Sequence, residues 1–389
     1  MNNIRLMSIQ HGDYAEALRI IGRGDLEPYF GMSYSLKILS DFFGSNPYLV
    51  VSLNAPASRE QLGQGTLVGL PRPCLPRLIP GRFSELIWSR RILAEMKCFQ
   101  PTHVLVRTGG PRAVAILKYC IQNKLNTAVI FANYFNKTND KYSSNVIRKL
   151  VPLLNHPCVT VIGNHKQPAT DSMIECGVDP SKVAAWDWPS ALHPIDFTEK
   201  KLQEDGDFVV LYVGTISTLK GVGDLVEAVR LLLSENVPVR LIAVGDGPDI
   251  EKLQFHSSTF AEGSVNFLGR IPNSEAFQLM LKASVVCVPS HHAFTEGMPL
   301  TLTEALASRT PTIISDHPVF QRAFLDGEGV RVVPEKNPKA LAAVLRELLS
   351  NPVEYTRLSR GTLDAFERVE CKTFFGDLIN RWRTTFNAH

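Results

Sequence analysis

The second half of the chain alternates short apolar runs with amphipathic segments. Five runs rich in aliphatic and β-branched residues end at glycine, proline or aspartate, which is typical of buried parallel strands. These runs are "DFVVLYVGTIS" (207–217), "VRLIAVGDG" (239–247), "SVNFLGRI" (264–271), "SVVCVPS" (284–290) and "PTIISD" (311–316). Helical apolar spacing fills the intervals, as in "GVGDLVEAVRLLLSE" (221–235). The alternation predicts a parallel α/β sheet covered by helices on both faces.

The first half shows a fainter version of the same pattern, which predicts a second α/β domain. Its candidate strands are "NIRLMSI", "YLVVSL", "THVLVRT", "TAVIFAN" and "CVTVIG". The polar stretch "HPIDFTEKKLQEDG" (193–206) separates the halves. We therefore predict one domain over 1–195 and another over 196–364. The segment 365–389, with the amphipathic stretch "FFGDLINRWRTTF" (374–386), is expected to pack back on the first domain.

Glycines follow several of the predicted strands. Ligands bind parallel sheets beyond the carboxyl ends of the strands. We therefore expect Gly214, the stretch Gly245–Gly247, and Gly297 to line one crevice. Each glycine taken alone is more typical of a tight turn.

Composition and charge narrow the class of protein. The 389 residues are 44% hydrophobic and 20% charged, and 41 Lys and Arg against 38 Asp and Glu give a net charge of +3. Such a balance argues against nucleic-acid binding. The seven cysteines have no CxxC or Cys/His spacing, so we expect reduced thiols rather than a zinc site or disulfides. The N-terminal stretch lacks the apolar run of a signal peptide, and no run of about 18 apolar residues exists, so a soluble, cytoplasmic protein is expected.

The segment "HHAFTEGMPLTLTEALASRTPTIISD" (291–316) carries the most specific chemistry. Pro299 suits the first turn of a helix, where its missing N–H costs nothing. The backbone amides of Gly297, Met298 and Leu300 would then lack intrahelical partners, at the positive end of the helix. Such a helix start is typical of a phosphate site.

Two glutamates flank this helix start. Glu304 lies about a turn and a half inside the helix, which at ~1.5 Å per residue puts it several ångströms down the axis. There it can accept two hydrogen bonds from a vicinal diol such as a ribose, and Glu296 can do the same for another sugar. A nucleotide-sugar fits this order. Alternatively, Glu296 caps the helix and Glu304 is a solvated helix residue; the Gly-x-Pro helix start between two buried strands favours the first interpretation.

Together these motifs resemble the donor-binding half of family 4 glycosyltransferases, which are retaining enzymes of the GT-B architecture. The matched motifs, in the family's order and spacing, are "VGTISTLKG" (213–221), "AVGDGPDIEKL" (243–253), "VNFLGRIP" (265–272) and "PSHHAFTEGMPLTLTEALASRTPTIISD" (289–316). The first half matches loosely, most visibly over 161–183. The resemblance implies two Rossmann-like domains whose parallel sheets face each other across a cleft. The first would bind the acceptor and the second the nucleotide-sugar donor.

The resemblance also implies roles for individual residues. Glu296 would hold the hydroxyls of the donor sugar, the adjacent amides the distal phosphate, and Glu304 the ribose. Lys220 would lie on the diphosphate and neutralise the leaving group, and the base would lie against the backbone around Arg270 and Ile271. We expect no cofactor and no metal ion, because Lys220 and the helix start supply the positive potential.

One position departs from the family. An arginine usually follows the glycine at the first strand exit, and this chain has Thr215 there. Threonine carries no charge, so another basic side chain must help Lys220 to stabilise the leaving group. The candidates are Arg270, Arg107 and Arg112. The Asp-x-Asp at 205–207 resembles a metal motif of other glycosyltransferases, but it precedes a strand and is interpreted as a linker turn.

Acceptor residues are expected in the first half, at its strand exits. A lone histidine at a strand end is more often a hydrogen-bonded structural residue, so these remain candidates. They are His11, Gly12, Arg107, Gly109, Asn133, Tyr134 and His165.

The stretch 71–97 mixes arginines with large apolar residues, including Trp88. A basic amphipathic segment can lie on an anionic membrane, which would suit a lipid-linked acceptor. A solvated face of an ordinary helix explains the pattern equally well.

The leading hypothesis is a retaining glycosyltransferase that acts on a glycan, glycolipid or small-molecule acceptor, in cell-surface polysaccharide or glycoconjugate biosynthesis. A nucleotide-sugar epimerase or a phosphorylase on the same fold is the second hypothesis. A nucleotide-sugar-binding protein without catalysis, which Thr215 would allow, is the third.

Overall fold

The computed structural model describes residues 4–24, 31–74, 81–135, 141–190, 192–202, 207–295 and 297–387. They form two compact units. Unit 1 contains the described residues up to Pro189 and those from Cys371 onward, and unit 2 contains Ser190–Glu370. The sequence places the boundary a few residues later, at 195/196, and assigns all of 365–389 to the first domain, whereas residues 365–370 lie in unit 2.

Unit 1 is built on an eight-stranded sheet. Its strands are β1 (Leu6–His11), β2 (Tyr48–Leu53), β3 (Ser58–Leu62), β4 (Gly65–Leu70), β5 (His103–Arg107), β6 (Asn126–Phe131), β7 (Val159–His165) and β8 (Val183–Trp186). Their order in the sheet is β3-β4-β2-β1-β5-β6-β7-β8. Its first six helices are α1 (Tyr14–Arg23), α2 (Met32–Phe43), α3 (Gly81–Phe99), α4 (Gly110–Gln122), α5 (Lys141–Leu154) and α6 (Gln167–Glu175).

The central strands of this sheet are buried on both faces. Along β1, Met7 and Ile9 belong to one apolar cluster and Leu6 to another. Successive side chains of a strand point to opposite faces, so the two clusters lie on opposite sides of the sheet. This explains why the strands are continuous apolar runs rather than alternating ones.

One edge of this sheet differs from the expected parallel arrangement. β3 pairs with β4 in antiparallel orientation, whereas the other pairs in the sheet are parallel. The two strands are joined by a tight turn in which Gly63 has φ +57°. β3 is largely exposed and polar, because an edge strand has a neighbour on one side only, and the apolar pattern gave no signal for it.

Unit 2 is built on a six-stranded parallel sheet. Its strands are β9 (Phe208–Val213), β10 (Val239–Val244), β11 (Val265–Gly269), β12 (Val285–Val288), β13 (Thr312–Ser315) and β14 (Val330–Val333). Their order is β11-β10-β9-β12-β13-β14, so the strand order reverses between β9 and β12. Its helices are α7 (Val222–Ser234), α8 (Ile250–Ser257), α9 (Asn273–Lys282), α10 (Leu300–Ala307), α11 (Pro318–Gln321), α12 (Pro338–Ser350) and α13 (Pro352–Val369), with 3-10 turns at Pro194–Asp196 and Thr218–Lys220.

The last helix, α14 (Phe375–Thr384), lies in unit 1. Its Trp382 is fully buried, stacks on Phe42 with ring centroids 5.2 Å apart, and donates from Nε1 to Asn126 Oδ1 at 2.8 Å. The aromatic residues of this C-terminal segment therefore serve to dock it on the sheet of unit 1.

Within the described ranges, no helix is long and apolar enough to cross a membrane.

We predict that Trp382→Ala destabilises unit 1 by about 3–5 kcal/mol, because it removes a buried aromatic ring and leaves Asn126 without this donor. All four tryptophans of the chain, Trp88, Trp186, Trp188 and Trp382, lie in unit 1. Tryptophan fluorescence during urea unfolding therefore reports on this unit. Val353→Ala, at an 80% exposed position in unit 2, is the control; an unchanged fluorescence midpoint for Trp382→Ala would contradict the docking role.

Candidate active site

The ends of β9 and β10 lie against each other without room for a side chain. A Cβ on Gly245 would lie 1.8 Å from Gly214 O, and one on Gly247 would lie 2.2 Å from Ile216 O. A hydrogen bond from Ile216 N to Asp246 O, 3.0 Å long, closes the contact. Gly214 and Gly245 have φ of +153° and +129°, which favour glycine. The backbone therefore forms a wall here, beside the point where the strand order reverses and ligands bind α/β sheets.

The start of α10 lies beside this wall. Thr301, in the first turn, donates from Oγ1 to Val213 O at the end of β9, at 3.1 Å. Leu300 is the first helical residue, so Pro299 is the N-cap rather than a residue of the first turn as expected. With the helix beginning one residue later, the amides at its start still lack intrahelical partners. Gly297 and Met298 are buried just before this start.

Glu296 lies outside the described residues, so its contact with a sugar stays a prediction.

Glu304 is partly buried on α10. It accepts a hydrogen bond from Asn273 Nδ2, 2.8 Å from its Oε1. Burial raises the pKa of this carboxyl to about 7, and the hydrogen bond from Asn273 offsets only part of that effect. Glu304 therefore carries a partial charge near neutral pH and prefers a partner that donates hydrogen bonds to its carboxylate.

Arg270 and Ile271 follow β11 and lie next to the glycine wall. Gly245 N donates to Gly269 O at 2.8 Å, which joins this turn to the end of β10. The Arg270 side chain is exposed, and its Nε lies 3.7 Å from Asp246 Oδ2. Asn273, the partner of Glu304, begins α9 just beyond. The predicted base and ribose positions are thus contiguous.

Lys220 ends the 3-10 turn that follows β9. Its Nζ lies 4.6 Å from the centre of the Phe294 ring, within the range of a cation–π contact. Thr215 is exposed, and its carbonyl accepts from Tyr212 Oη at 2.7 Å. The structure therefore places Lys220 beside Phe294, which is two residues before Glu296 in the chain.

Several predicted acceptor residues lie at the carboxyl edge of the unit 1 sheet. His11 Nε2 lies 3.1 Å from Thr108 Oγ1, which connects the exits of β1 and β5. A Cβ on Gly109 would lie 3.4 Å from Asn133 Oδ1, so the β5 and β6 exits also meet. Asn164 fixes Asn133 by donating to its carbonyl at 2.8 Å and accepting from its amide at 3.2 Å. Gly12 and Tyr134 extend the same edge.

Two other candidate acceptor residues at this edge, Arg107 and His165, contact other side chains of unit 1. Arg107 lies over the Phe375 ring of α14, 4.7 Å from its centre. His165 is 3% exposed and lies 3.0 Å from Asp187 Oδ1, and the buried Lys166 pairs with the other oxygen of Asp187. The pKa of Asp187 is lowered, because the contacts with His165 and Lys166 outweigh the opposite effect of burial.

Arg112, the third arginine considered as a substitute at the Thr215 position, lies over the Trp88 ring at 4.4 Å and 3.4 Å from Glu85 Oε1.

The sequence reasoning missed residues that join neighbouring elements of unit 2. His291 Nε2 lies 2.6 Å from Asp224 Oδ2. His292 Nε2 lies 2.7 Å from Asp316 Oδ1, and its amide donates to Glu335 Oε2 at 2.6 Å. The two adjacent histidines in "PSHHAF" were the available signal, but their partners are distant in the chain.

A family model and two kinds of relatives match this chain. The model for glycosyl transferases group 1 matches residues 195–362. The phosphatidyl-myo-inositol mannosyltransferase of Mycobacterium leprae is 30% identical over 176 residues, which are 45% of this chain and 46% of that protein. The alpha-monoglucosyldiacylglycerol synthase of Acholeplasma laidlawii is 24% identical over 89% of this chain and 92% of that protein. The chain therefore spans less than half of the mannosyltransferase.

Among solved structures, the Anabaena protein Alr3699/HepE in complex with UDP-glucose superimposes with a TM-score of 0.64 at 14% identity, over 99% of each chain. At this identity the likeness concerns the fold. It confirms the expected α/β architecture with two sheets, and the family match confirms the resemblance drawn from the motifs of the second half. The second unit is thus similar to the glycosyl transferases group 1 over residues 195–362, and the fold is of the GT-B type.

Proposed function

We propose that this chain is a retaining glycosyltransferase that moves a sugar from a nucleoside-diphosphate sugar to a glycan, lipid-linked or small-molecule acceptor. The observation that carries the proposal is the row of features along one edge of unit 2. Glu304 with Asn273, the start of α10, and Lys220 lie around the ends of β9 and β10. They offer in turn an acceptor for ribose hydroxyls, amides for phosphate and a cation for the leaving group.

The proposed reaction breaks the bond between the anomeric carbon and the diphosphate oxygen. The acceptor oxygen forms the new bond on the same face, as the family resemblance implies, and its proton goes to the departing phosphate. Lys220 and the amides at the α10 start stabilise the negative charge that grows on the diphosphate. In this proposal the positive potential comes from the protein, and no metal ion takes part.

The printed activities of the relatives support an acceptor in glycolipid or polysaccharide synthesis. The mannosyltransferase named above acts on phosphatidyl-myo-inositol, and the synthase makes a glucosyldiacylglycerol product, by their names. We propose that this chain works in the same area of biosynthesis, on the cytoplasmic side and in part at the inner face of a membrane.

The first test is a panel of UDP-, GDP-, ADP- and dTDP-hexoses, screened by thermal shift and then by release of nucleoside diphosphate in buffer with EDTA. We expect one donor to raise the melting temperature and to be turned over slowly, because binding stabilises by mass action. Conversion of the sugar without release of nucleotide would instead indicate an epimerase. Binding without turnover, even with lipid and glycan acceptors, would indicate a binding protein.

For Glu296→Gln we predict a fall in turnover of about 10- to 100-fold, since a charge-assisted hydrogen bond to a sugar hydroxyl is lost. Glu262→Gln, on an exposed loop of the same unit, is the matched control. NMR of the product gives its anomeric configuration, and an inverted product would contradict the retaining mechanism. Unchanged turnover and affinity in Glu296→Gln would remove Glu296 from the sugar site.

A separate prediction concerns the charge of Glu304. Its pKa rises from 4.5 to about 7 on folding. Below pH 4.5 the carboxyl is protonated in both the folded and the unfolded protein, so it does not change the free energy of unfolding. Between pH 4.5 and 7 the carboxyl ionises in the unfolded chain only, so the free energy of unfolding falls as the pH rises. Glu304→Gln should therefore stabilise the ligand-free protein on the order of 2–3 kcal/mol at pH 8 and much less at pH 5. Calorimetric melting at the two pH values measures this difference.

Nucleotide binding should lower the pKa of Glu304 again. Ribose hydroxyls that donate to the carboxylate favour its ionised form, so binding at pH 6.5 should release protons. Titration calorimetry in two buffers of different ionisation enthalpy counts them. Proton release that persists unchanged in Glu304→Gln would place the titrating group elsewhere.

We also propose a contact with anionic membranes. The apolar surface available for it is smaller than the stretch 71–97 predicts. On α3, Trp88, Ile92 and Met96 are buried, so much of the apolar content of 71–97 belongs to the core. Phe83 and Leu86 are 44% and 46% exposed. Leu86 lines a cavity of about 610 Å³, to which the helices α4 and α5 contribute basic side chains; these are Lys118, Arg148 and Lys149.

We predict that the protein sediments with phosphatidylglycerol vesicles at low salt, and that Phe83→Ser with Leu86→Ser weakens binding several-fold, because apolar side chains that enter the interface are removed. Phe255→Ser, at an 82% exposed position in unit 2, should leave binding unchanged. If Phe255→Ser weakened vesicle binding as much as the double change at Phe83 and Leu86, this surface would not be the membrane contact. Equal binding of the wild type to neutral vesicles would also contradict a contact with anionic membranes.

A further inference from the structure

The turn that carries Lys220 is fastened to the end of β12. His291 N donates to Leu219 O at 2.9 Å, one residue before Lys220. A Cβ on Gly221, which has φ +71°, would lie 2.0 Å from Pro289 O. The backbone on both sides of Lys220 therefore touches residues 289–291.

A side-chain contact fastens the same two segments a second time. His291 is 5% exposed, and its Nε2 lies 2.6 Å from Asp224 Oδ2 in the first turn of α7. α7 begins directly after the Lys220 turn. Since the imidazole donor meets a carboxylate at short distance, this contact belongs to the stronger class of hydrogen bonds.

Phe294 is held in the same segment by its backbone. Its amide donates to His291 O at 3.0 Å, and its carbonyl accepts from His317 Nε2 at 2.9 Å. His317 Nδ1 in turn accepts from Val319 N at 3.2 Å, which sets the neutral tautomer with the proton on Nε2. The Phe294 ring is thus presented to Lys220 Nζ at 4.6 Å.

We propose that Phe294 and His291 are positioning residues for Lys220. His291 fixes the backbone of the Lys220 turn, and Phe294 restrains the ammonium by a cation–π contact, so that the charge is aimed before the diphosphate arrives. This inference rests on the proposed function, in which Lys220 neutralises the leaving group.

The physical reason is the flexibility of lysine. Its long, flexible side chain loses rotamer entropy when it is immobilised. A contact with an aromatic face restrains the ammonium in advance. Thr215, at the exit of the same strand β9, brings no charge, so the placement of the Lys220 charge has the greater weight.

The test is a double-mutant cycle between Lys220 and Phe294. The variants are Phe294→Leu, Phe294→Tyr, Lys220→Ala and Lys220→Ala with Phe294→Leu. UDP and GDP are titrated against each by calorimetry, and kcat and KM are measured with the donor that the wild type turns over. His291→Gln and His291→Ala are measured in parallel. His256→Gln, which alters an exposed histidine–carboxylate pair with Glu227 in the same unit, is the control.

We expect Phe294→Leu to lower kcat about 3- to 30-fold with a smaller change in KM, and Phe294→Tyr to restore it because the aromatic face is kept. In the Lys220→Ala background Phe294→Leu should change nucleotide affinity less than twofold. His291→Gln, which keeps a donor for Asp224, should retain more activity than His291→Ala, and His256→Gln should match the wild type.

If Phe294→Leu lowered kcat or nucleotide affinity by the same factor with and without Lys220, the inference would be overturned, since the ring would then act by packing alone. Failure of Phe294→Tyr to restore kcat would overturn it as well. If the wild type binds neither nucleotide and turns over no donor, the proposed function itself is overturned, and the inference with it.

Discussion

The backbone contact between the ends of β9 and β10 is the constraint on which the candidate site depends. Because Gly245 meets the carbonyl of Gly214 without a side chain between them, the two strand exits form one surface. Thr301 fastens the start of α10 to the end of β9, and the length of that helix then sets the position of Glu304. A side chain at Gly245 would separate the strands and shift every group that the helix carries.

Burial explains how a carboxylate and a phosphate site share one helix. Glu304 has a pKa raised to about 7, so it is in part protonated near neutral pH and weakens the positive helix start less than an exposed glutamate would. Spacing along the helix separates the two groups further. The helix start therefore keeps its preference for an anion while its second turn offers acceptors for hydroxyls.

The sequence reveals what is local in this molecule. The runs of β2 and β9 have six residues each and are largely apolar with several valines. The glycines and glutamates of the helix start follow a fixed spacing, so both features could be predicted. β8 and β14 were not predicted; each has four residues with a partly exposed middle, unlike the equally short but fully buried β12 and β13. The contacts of His291 with Asp224 and of Asn273 with Glu304 depend on elements that become neighbours only through the strand order.

His165 differs from the other candidates at the edge of unit 1, because it contacts the buried carboxylate of Asp187. Its partner Asp187 also pairs through its backbone with the returning chain, accepting from Phe375 N and donating to Thr373 O, each at 3.0 Å. Lys166, with φ +66°, is buried against the same carboxylate. Buried ion pairs contribute little net stability, but breaking one leaves an uncompensated charge. The chain leaves unit 1 just after Asp187 and returns just before Thr373, so this cluster fixes both crossings to the sheet, and any effect of His165 on an acceptor would pass through that anchor.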